Sequence, residues 1–333
     1  MRPAGKCRQG SSGFGCAGIY MKFLNEILGI KYPFIQGGMA NIAVGEFAAA
    51  CSNAGGLGLI GTGGMNAAML EEHIHIARKL TDKPFGVNLM LMNPETDQMA
   101  EIVAREGVQV VTTGAGNPGK YIGMWKEKGV RIFPVSASCT LAQRLVRDGV
   151  DGIIAEGCES GGHVGEMTTM TLVPQMVDRL GPEVPVIAAG GIAAGRQLAA
   201  AYALGACGVQ MGTCLLVSEE CPIHENYKTA LLKAKDNSTV VTGRTVNAPV
   251  RIIKNKMSRA YVRAEKDGAD LMELEKYTLG SLRKAVFDGN VEDGSLMAGQ
   301  VCGQLDQIRP VAEIFASISE EAGAVIRRLG EMG

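Results

Sequence analysis

From Met21 onward one pattern recurs eight times: a short apolar run, a turn that usually holds glycine, and a helix with apolar residues at helical spacing. The runs are Pro33–Gln36, Leu57–Ile60, Phe85–Asn88, Gln109–Thr112, Val130–Val135, Gly152–Ala155, Val184–Ala188 and Gly208–Met211. They are continuously apolar rather than alternating, as strands buried on both faces of a parallel sheet must be. Local punctuation agrees: Asn66 can cap the helix that ends at Leu80, and Gly55-Gly56 closes the helix Val44–Asn53. Eight strand–helix units predict an α/β fold, a (β/α)8 TIM barrel. A doubly wound sheet is the competing arrangement; the count of eight and the uniformly short strands favour the barrel.

After Cys214 the rhythm breaks. Glu225–Lys235 reads as the eighth helix. Val240–Ile253 is extended, charged helices follow near Met257–Asp267 and Leu271–Lys284, and a last helix runs from Pro310 to Leu329. The expected division is an extension at 1–20, the barrel at 21–235, and a C-terminal lid or cap at 236–333 packed on the barrel mouth. Met1–Tyr20 is rich in Gly and Ser, basic, and lacks the apolar core of a secretory signal. It reads as an upstream-start extension and takes no part in the fold argument.

Bulk properties narrow the partners. A net charge of −1 gives no reason to expect a nucleic-acid or anionic-membrane surface. No apolar run approaches the roughly 20 residues that span a bilayer. The nine cysteines are scattered, without a CxxC pair or zinc-site spacing, so no metal is expected and a reducing cytoplasm fits.

In a barrel the chemistry sits at the C-terminal ends of the strands. Here those ends carry Gly37-Gly38-Met39, Asn88, Glu156, Ala189-Gly190-Gly191-Ile192 and Gln210-Met211-Gly212-Thr213. Gly190-Gly191 and Gly212-Thr213 follow the seventh and eighth strands, where barrels bind phosphate through backbone N–H groups and a helix N-terminus. Neither turn holds Lys or Arg, so the binding would be through neutral amides. No GxGxxG with a following acidic residue appears, which disfavours a Rossmann dinucleotide site. The sixth strand opens into a glycine-rich loop bearing His163, with Gly161 and Gly162 just before it. Those glycines would let backbone approach a planar ligand, and the imidazole suits proton transfer near neutral pH.

Other candidates are weaker. His73 and His75 lie two apart on a helix and so face different ways, which disfavours a metal site. His224 reads as a helix start. Glu156 reads as a hydrogen-bonding group to a ligand ring, and Glu159 has no clear role. Met90 and Met92 could line an apolar channel or simply pack.

Taken in order, Gln36-Gly-Gly-Met39, Gly86-Val-Asn88, Ala155-Glu-Gly, Glu159-Ser-Gly-Gly-His-Val-Gly165, Ala188-Ala-Gly-Gly-Ile192 and Gln210-Met-Gly-Thr213 resemble the FMN-dependent family of nitronate monooxygenases (2-nitropropane dioxygenases) and the flavin-containing type II enoyl-acyl-carrier-protein reductase. The likeness runs from Met21 almost to the C-terminus. Glu156 (where the monooxygenases usually have Gln), Gly165–Leu172, Ala248–Asn255 and Gly294–Gln300 make the chain more similar to the reductase.

The resemblance implies FMN, with Gly190, Gly191, Gly212 and Thr213 at its phosphate. Gly37, Gly38 and Met39 would lie against its ring, and Gly161, Gly162, Gln210 and Met211 are further cofactor-binding positions. Asn88 and Glu156 would meet its polar edge or ribityl chain, and His163 would face its reactive side. It further implies hydride passing from NADH or NADPH through the flavin to the β-carbon of a trans-2-enoyl thioester on acyl carrier protein or CoA, with the α-carbon proton from His163 or water. A homodimer and a monovalent-cation requirement belong to the same implication. The alternatives are a nitronate monooxygenase using O2 and a flavoprotein without turnover. An acidic carrier needs a basic surface, for which Arg251, Lys254, Lys256 and Arg259 are the expected cluster.

Overall fold

A computed structural model describes residues 22–332; the expected extension at 1–20 lies outside them. Among the described residues eleven strands form: β1 Phe34–Gln36, β2 Gly58–Gly61, β3 Phe85–Met90, β4 Val110–Gly114, β5 Arg131–Ser136, β6 Ile153–Glu156, β7 Gly162–His163, β8 Val186–Ala189, β9 Gly208–Met211, β10 Thr239–Thr242 and β11 Val250–Ile253. Eight of them make one sheet in the order β1-β9-β8-β6-β5-β4-β3-β2. Each pair in it is parallel. The ends of that order meet: Gln36 N–H donates to Leu57 O at 2.9 Å and Leu57 N–H to Phe34 O at 2.8 Å, so the sheet closes into the expected barrel. Ile35, Leu59, Val110, Phe133, Ile154 and Ile187 fill its interior. Leu24 and Leu28, from the short helix Leu24–Leu28, join the same cluster and plug one end. That helix is tied to the start of β9 by Leu24 N–H donating to Cys207 O at 2.9 Å.

Most helices fall where periodicity and caps put them. Asn66 accepts from Met69 N–H at 2.9 Å and starts Ala67–Leu80. His224 accepts from Asn226 N–H at 3.1 Å and starts Glu225–Leu232. The eighth barrel helix is the exception. Glu225–Leu232 packs against the short 3-10 turns Thr213–Val217 and Gln300–Gln304. The barrel position between the helices Gly195–Ala203 and Gly45–Asn53 is filled instead by the last helix, Val311–Gly330. Its Phe315 packs on Phe34 of β1 with ring centroids 5.2 Å apart, and its Glu321 accepts from Gly195 N–H at 2.6 Å. The last helix therefore lies on the barrel flank, and 213–310 is a long insertion between β9 and the helix that completes its unit.

That insertion emerges at the C-terminal ends of the strands. Its strands β10 and β11, the expected extended run Val240–Ile253, form a hairpin that joins β7 in a second sheet of order β10-β11-β7. β7, the His163 segment, is pinned to β11 with His163 opposite Val250 and Gly162 opposite Arg251. The expected helix Leu271–Lys284 breaks into Leu271–Thr278 and Ser281–Val286 because Gly280 takes a left-handed conformation, φ 70°. No helix among the described residues is long and apolar enough to cross a membrane.

Candidate active site

A cavity of about 560 Å3 opens where the barrel's strand ends meet the insertion. That volume suits a cofactor with part of a substrate. Every site residue expected from the sequence lines it: Gly37, Gly38 and Met39 beyond β1, Asn88 in β3, Glu156 at the end of β6, Gly161, Gly162 and His163 on and before β7, Gly190 and Gly191 beyond β8, and Gln210, Met211, Gly212 and Thr213 at and beyond β9. Asn88 is not a strand end, since β3 runs on to Met90. Its amide donates to Thr112 Oγ1 at 2.8 Å, which fixes the side chain at the cavity wall. Met90 also lines the cavity, whereas Met92 is exposed.

One corner suits an anion. Gly190 and Gly191 have φ of 89° and 74°, conformations that glycine adopts freely. Gly212 has φ −125°, and a Cβ built there would meet only Met39 Sδ, at 3.6 Å, so the position opens to the cavity. The Thr213 hydroxyl accepts from Gly299 N–H at 2.9 Å, which leaves its own proton free to donate. Among the described residues no Lys or Arg lines the cavity. The helix Gly195–Ala203 contributes less than expected, because the Glu321 carboxylate already occupies its first N–H.

Elsewhere in the wall one buried acceptor, Gln210 Oε1, has no hydrogen-bond partner among the described residues. Buried acceptors are rarely left unpaired, so it fits a ligand with its own ring N–H. A flavin mononucleotide has such a ring at one end and a phosphate at the other, and the two halves of this cavity match it.

Two titratable groups face the same space, and burial acts on them in opposite directions. Glu156 keeps some surface toward the cavity, but every other side is protein. Desolvation pushes its carboxyl up to about 7, and the nearby Ser160 hydroxyl offsets only part of that. His163 stands at the open side, and desolvation draws its imidazole below the usual value. The ring is therefore neutral at neutral pH: it can accept a proton or donate one hydrogen bond. Glu159 has a structural role, since its carboxylate accepts from Thr169 N–H and Thr169 Oγ1–H at 3.0 Å and holds the start of the helix Thr169–Leu180.

The two glycines before His163 serve the protein more than a ligand. A Cβ at Gly161 would lie 2.6 Å from the Ala298 backbone, and Gly162 has φ 76°. The first lets the insertion close down on the loop, and the second turns the chain into β7. Arg251 corrects another expectation. It is 7% exposed, and its Nε and Nη2 donate to Cys158 O at 3.1 and 2.8 Å, while Nη1 donates to Thr239 Oγ1 at 3.1 Å. It clamps the His163 loop and is not available to a partner.

The sequence reading missed the roof of the cavity, formed by Asn247–Pro249, Leu282, Met297 and Gly299 from the insertion. These residues follow no strand end, so barrel logic does not reach them. The histidine pair stays outside. His73 Nδ1 accepts from Gly45 N–H at 3.3 Å. His75 belongs to a group with Glu71 and Glu106 whose carboxylates are bridged by Arg105 and Arg78 at 2.6 and 2.7 Å, so guanidinium charge fills the place a cation would take.

The model of the nitronate monooxygenase family matches residues 21–321. The fold superimposes on FabK from Thermotoga maritima with a TM-score of 0.90 and 44% identity, covering 93% of this chain and 98% of that one. A nitroalkane oxidase from Streptomyces ansochromogenes gives a TM-score of 0.81 at 25% identity, covering 92% and 99%. Among curated relatives, the (3aS,4S,5R,7aS)-5-hydroxy-7a-methyl-1-oxo-octahydro-1H-indene-4-carboxyl-CoA dehydrogenase of Mycobacterium tuberculosis is 31% identical over 90% of this chain and 95% of its own. A probable nitronate monooxygenase of Staphylococcus saprophyticus is 31% identical over 91% and 98%. With the family model spanning nearly the whole barrel and its insertion, and with a cavity shaped for a flavin, the chain belongs to the nitronate monooxygenase family of flavin-dependent oxidoreductases.

Proposed function

We propose that the chain reduces trans-2-enoyl thioesters, carried on acyl carrier protein or CoA, to saturated thioesters with NADH or NADPH. The observation that carries this reading is the 44% identity to FabK over 93% of the chain, against 25% to the nitroalkane oxidase. FabK is a type II enoyl-acyl-carrier-protein reductase. The Mycobacterium tuberculosis relative, by its name a dehydrogenase of a carboxyl-CoA, supports the thioester class.

When bound, FMN supplies the two-electron relay between nicotinamide and alkene. Gly190, Gly191, Gly212 and Thr213 would hold its phosphate, and Gly37–Met39, Asn88, Glu156 and Gln210 its ring and ribityl chain. The chain's own contribution is positional and electrostatic. Met90, Leu282, Met297 and Val301 give the cavity an apolar side that suits an acyl chain. His163 would hydrogen-bond the substrate through its neutral ring and relay a proton to the α-carbon, giving up its N–H while the other ring nitrogen takes a proton from water. Reduction then adds hydride at the β-carbon and a proton at the α-carbon, and the nicotinamide leaves oxidised.

A nitronate monooxygenase is the second reading. The family match, the Staphylococcus saprophyticus relative and a neutral His163 able to act as a base all favour it. The test is anaerobic. The purified protein is titrated with NADH and with NADPH while the visible flavin spectrum is followed, and crotonyl-CoA is then added. Bleaching by a nucleotide and recovery on adding the enoyl thioester is the result expected. No bleaching by either nucleotide, with bleaching by an alkyl nitronate, would replace the reductase reading with the monooxygenase.

A further inference from the structure

The insertion carries a basic groove on its outer side. Helix Lys256–Lys266 turns Met257 and Tyr261 onto the β10–β11 pair, where they join Ile252 and Leu274 in a small core. Arg259, Arg263 and Lys266 on the helix line, with Lys254, a groove of about 340 Å3 that also includes Val240 and Val262. All four cations are exposed, and among the described residues none forms an ion pair; Lys254 donates to the carbonyl of Asn237 at 2.6 Å. Lys256, by contrast, is paired with Asp293 at 3.1 Å and stands outside the groove. The expected basic cluster is thus recomposed: Arg251 and Lys256 drop out, and Arg263 and Lys266 enter.

Arg259 and Arg263 are four residues apart on one helix face, and like charges at that spacing cost a helix a few tenths of a kcal/mol. The chain as a whole is nearly neutral, with a net charge of −1, yet it leaves this face uncompensated. Such a face attracts a partner of opposite sign.

The groove's position identifies that partner. It borders β10, one edge of the three-stranded sheet, and the other edge is β7 with His163. The register runs from His163 to Val250 to Thr242, and Val240 lies two residues farther along β10. Two strand spacings of about 4.8 Å and two residues of about 3.4 Å put the groove about 12 Å from His163. A phosphopantetheine arm has about thirteen bonds between phosphorus and sulfur, a little over four residues' worth of extended chain, or about 15 Å. A thioester at His163 would leave its tether's far end at the groove.

We infer that this groove docks an acidic face of the acyl carrier protein, with Lys254, Arg259, Arg263 and Lys266 as the receiving charges. The inference rests on the thioester reading above and adds where the carrier sits.

The test is the double variant Arg259→Glu/Arg263→Glu in the full flavin-loaded protein, both side chains being exposed and without hydrogen-bond partners among the described residues. Steady-state kinetics compare three crotonyl thioesters: carrier protein, CoA and N-acetylcysteamine. The expected result is a KM for the carrier thioester raised about tenfold or more, the other two within about twofold, and a wild-type carrier KM that rises with salt. An unchanged carrier KM overturns the inference. An equal rise for the CoA thioester overturns it too and assigns the groove to phosphate, and an equal loss on all three makes the residues structural. Binding of unacylated carrier protein at low ionic strength, read by fluorescence anisotropy, separates this failure from failure of the reductase reading. Wild-type binding that the double variant loses supports the dock even if no enoyl thioester is reduced. Absence of wild-type binding overturns the dock even if small thioesters turn over.

Discussion

The anion corner of the cavity makes a prediction in which folding and ligand binding come apart. Gly212 has φ −125°, and a Cβ there meets only Met39 Sδ, at 3.6 Å. Gly212→Ala should therefore leave the apoprotein's stability within about 0.5 kcal/mol of wild type, as for a substitution without a named defect. Its methyl group would stand in the cavity where a phosphate is to sit. Displacing one charge-assisted hydrogen bond costs about 1.5–3 kcal/mol, which is about a 10- to 150-fold weaker Kd for FMN. Because ligand binding stabilises only the folded state, the FMN-induced rise in Tm should shrink by the same free energy.

Gly190→Ala is the control. Its φ of 89° strains any L side chain, and a Cβ would lie 2.7 Å from Gly157 O, so the apoprotein itself should lose about 1–2 kcal/mol or more. The assay is fluorescence titration of each apoprotein with FMN, with thermal denaturation of apo and loaded forms. A Gly212→Ala protein that binds FMN as tightly as wild type would refute the phosphate seat. One whose apo form is as unstable as Gly190→Ala would refute the reasoning from open space.

Three further variants test the rest of the site. His163→Ala should lower turnover about 10²–10⁴-fold while leaving the bound flavin spectrum intact, and full activity would remove the imidazole from the reaction. Glu156 has a folded-state pKa raised to about 7 from an ordinary carboxyl value. Folding is thus penalised progressively as pH rises from about 4.5 to about 7, where the unfolded state alone is ionised. Glu156→Gln removes that penalty, so it should raise Tm at pH 8 relative to wild type and change little below pH 4.5; an offset that does not grow across that window would contradict the burial argument. Arg251→Ala strips the clamp from Cys158 O and should cost about 2 kcal/mol, with Arg251→Lys restoring only part because a lysine cannot reproduce the guanidinium fork. Unchanged thermal stability in Arg251→Ala would show that the His163 loop holds itself.

The barrel and the residues that line its cavity were legible in the sequence for physical reasons. A strand covered on both faces must be apolar throughout, so each of the eight announced itself. The fold then brings strand ends together, so Gly37, Glu156, Gly190 and Gly212 needed no further signal to be grouped. What the pattern could not reveal was pairing at long range. Arg251 looks like any surface cation until Cys158 O is known to face it. Glu159 looks like a spare carboxylate until it meets Thr169. The last helix did carry a clue: Val311, Ile314, Phe315, Ile318 and Ala322 form one buried stripe, as a barrel-flank helix requires. The long insertion before it hid its place in the eighth unit.

That insertion explains why the family was easier to read than the reaction. The barrel turns proposed to hold the flavin are local, and each follows a strand end. The residues proposed to meet the substrate, Asn247–Pro249, Leu282 and Met297, come from the insertion and follow no barrel strand. Yet the two parts are not independent. Arg251 of β11 holds Cys158, Gly299 N–H reaches Thr213 Oγ1 at the anion corner, and Gln300 N–H donates to Glu159 O at 2.9 Å. Each fastening lands on a loop that also walls the cavity. On the proposed reading, a change in the cavity roof is transmitted to the cofactor's surroundings through three hydrogen-bonded contacts. Discrimination between an enoyl thioester and a nitronate should accordingly respond to substitutions in 247–249 and 297–300 more than to any in the barrel strands.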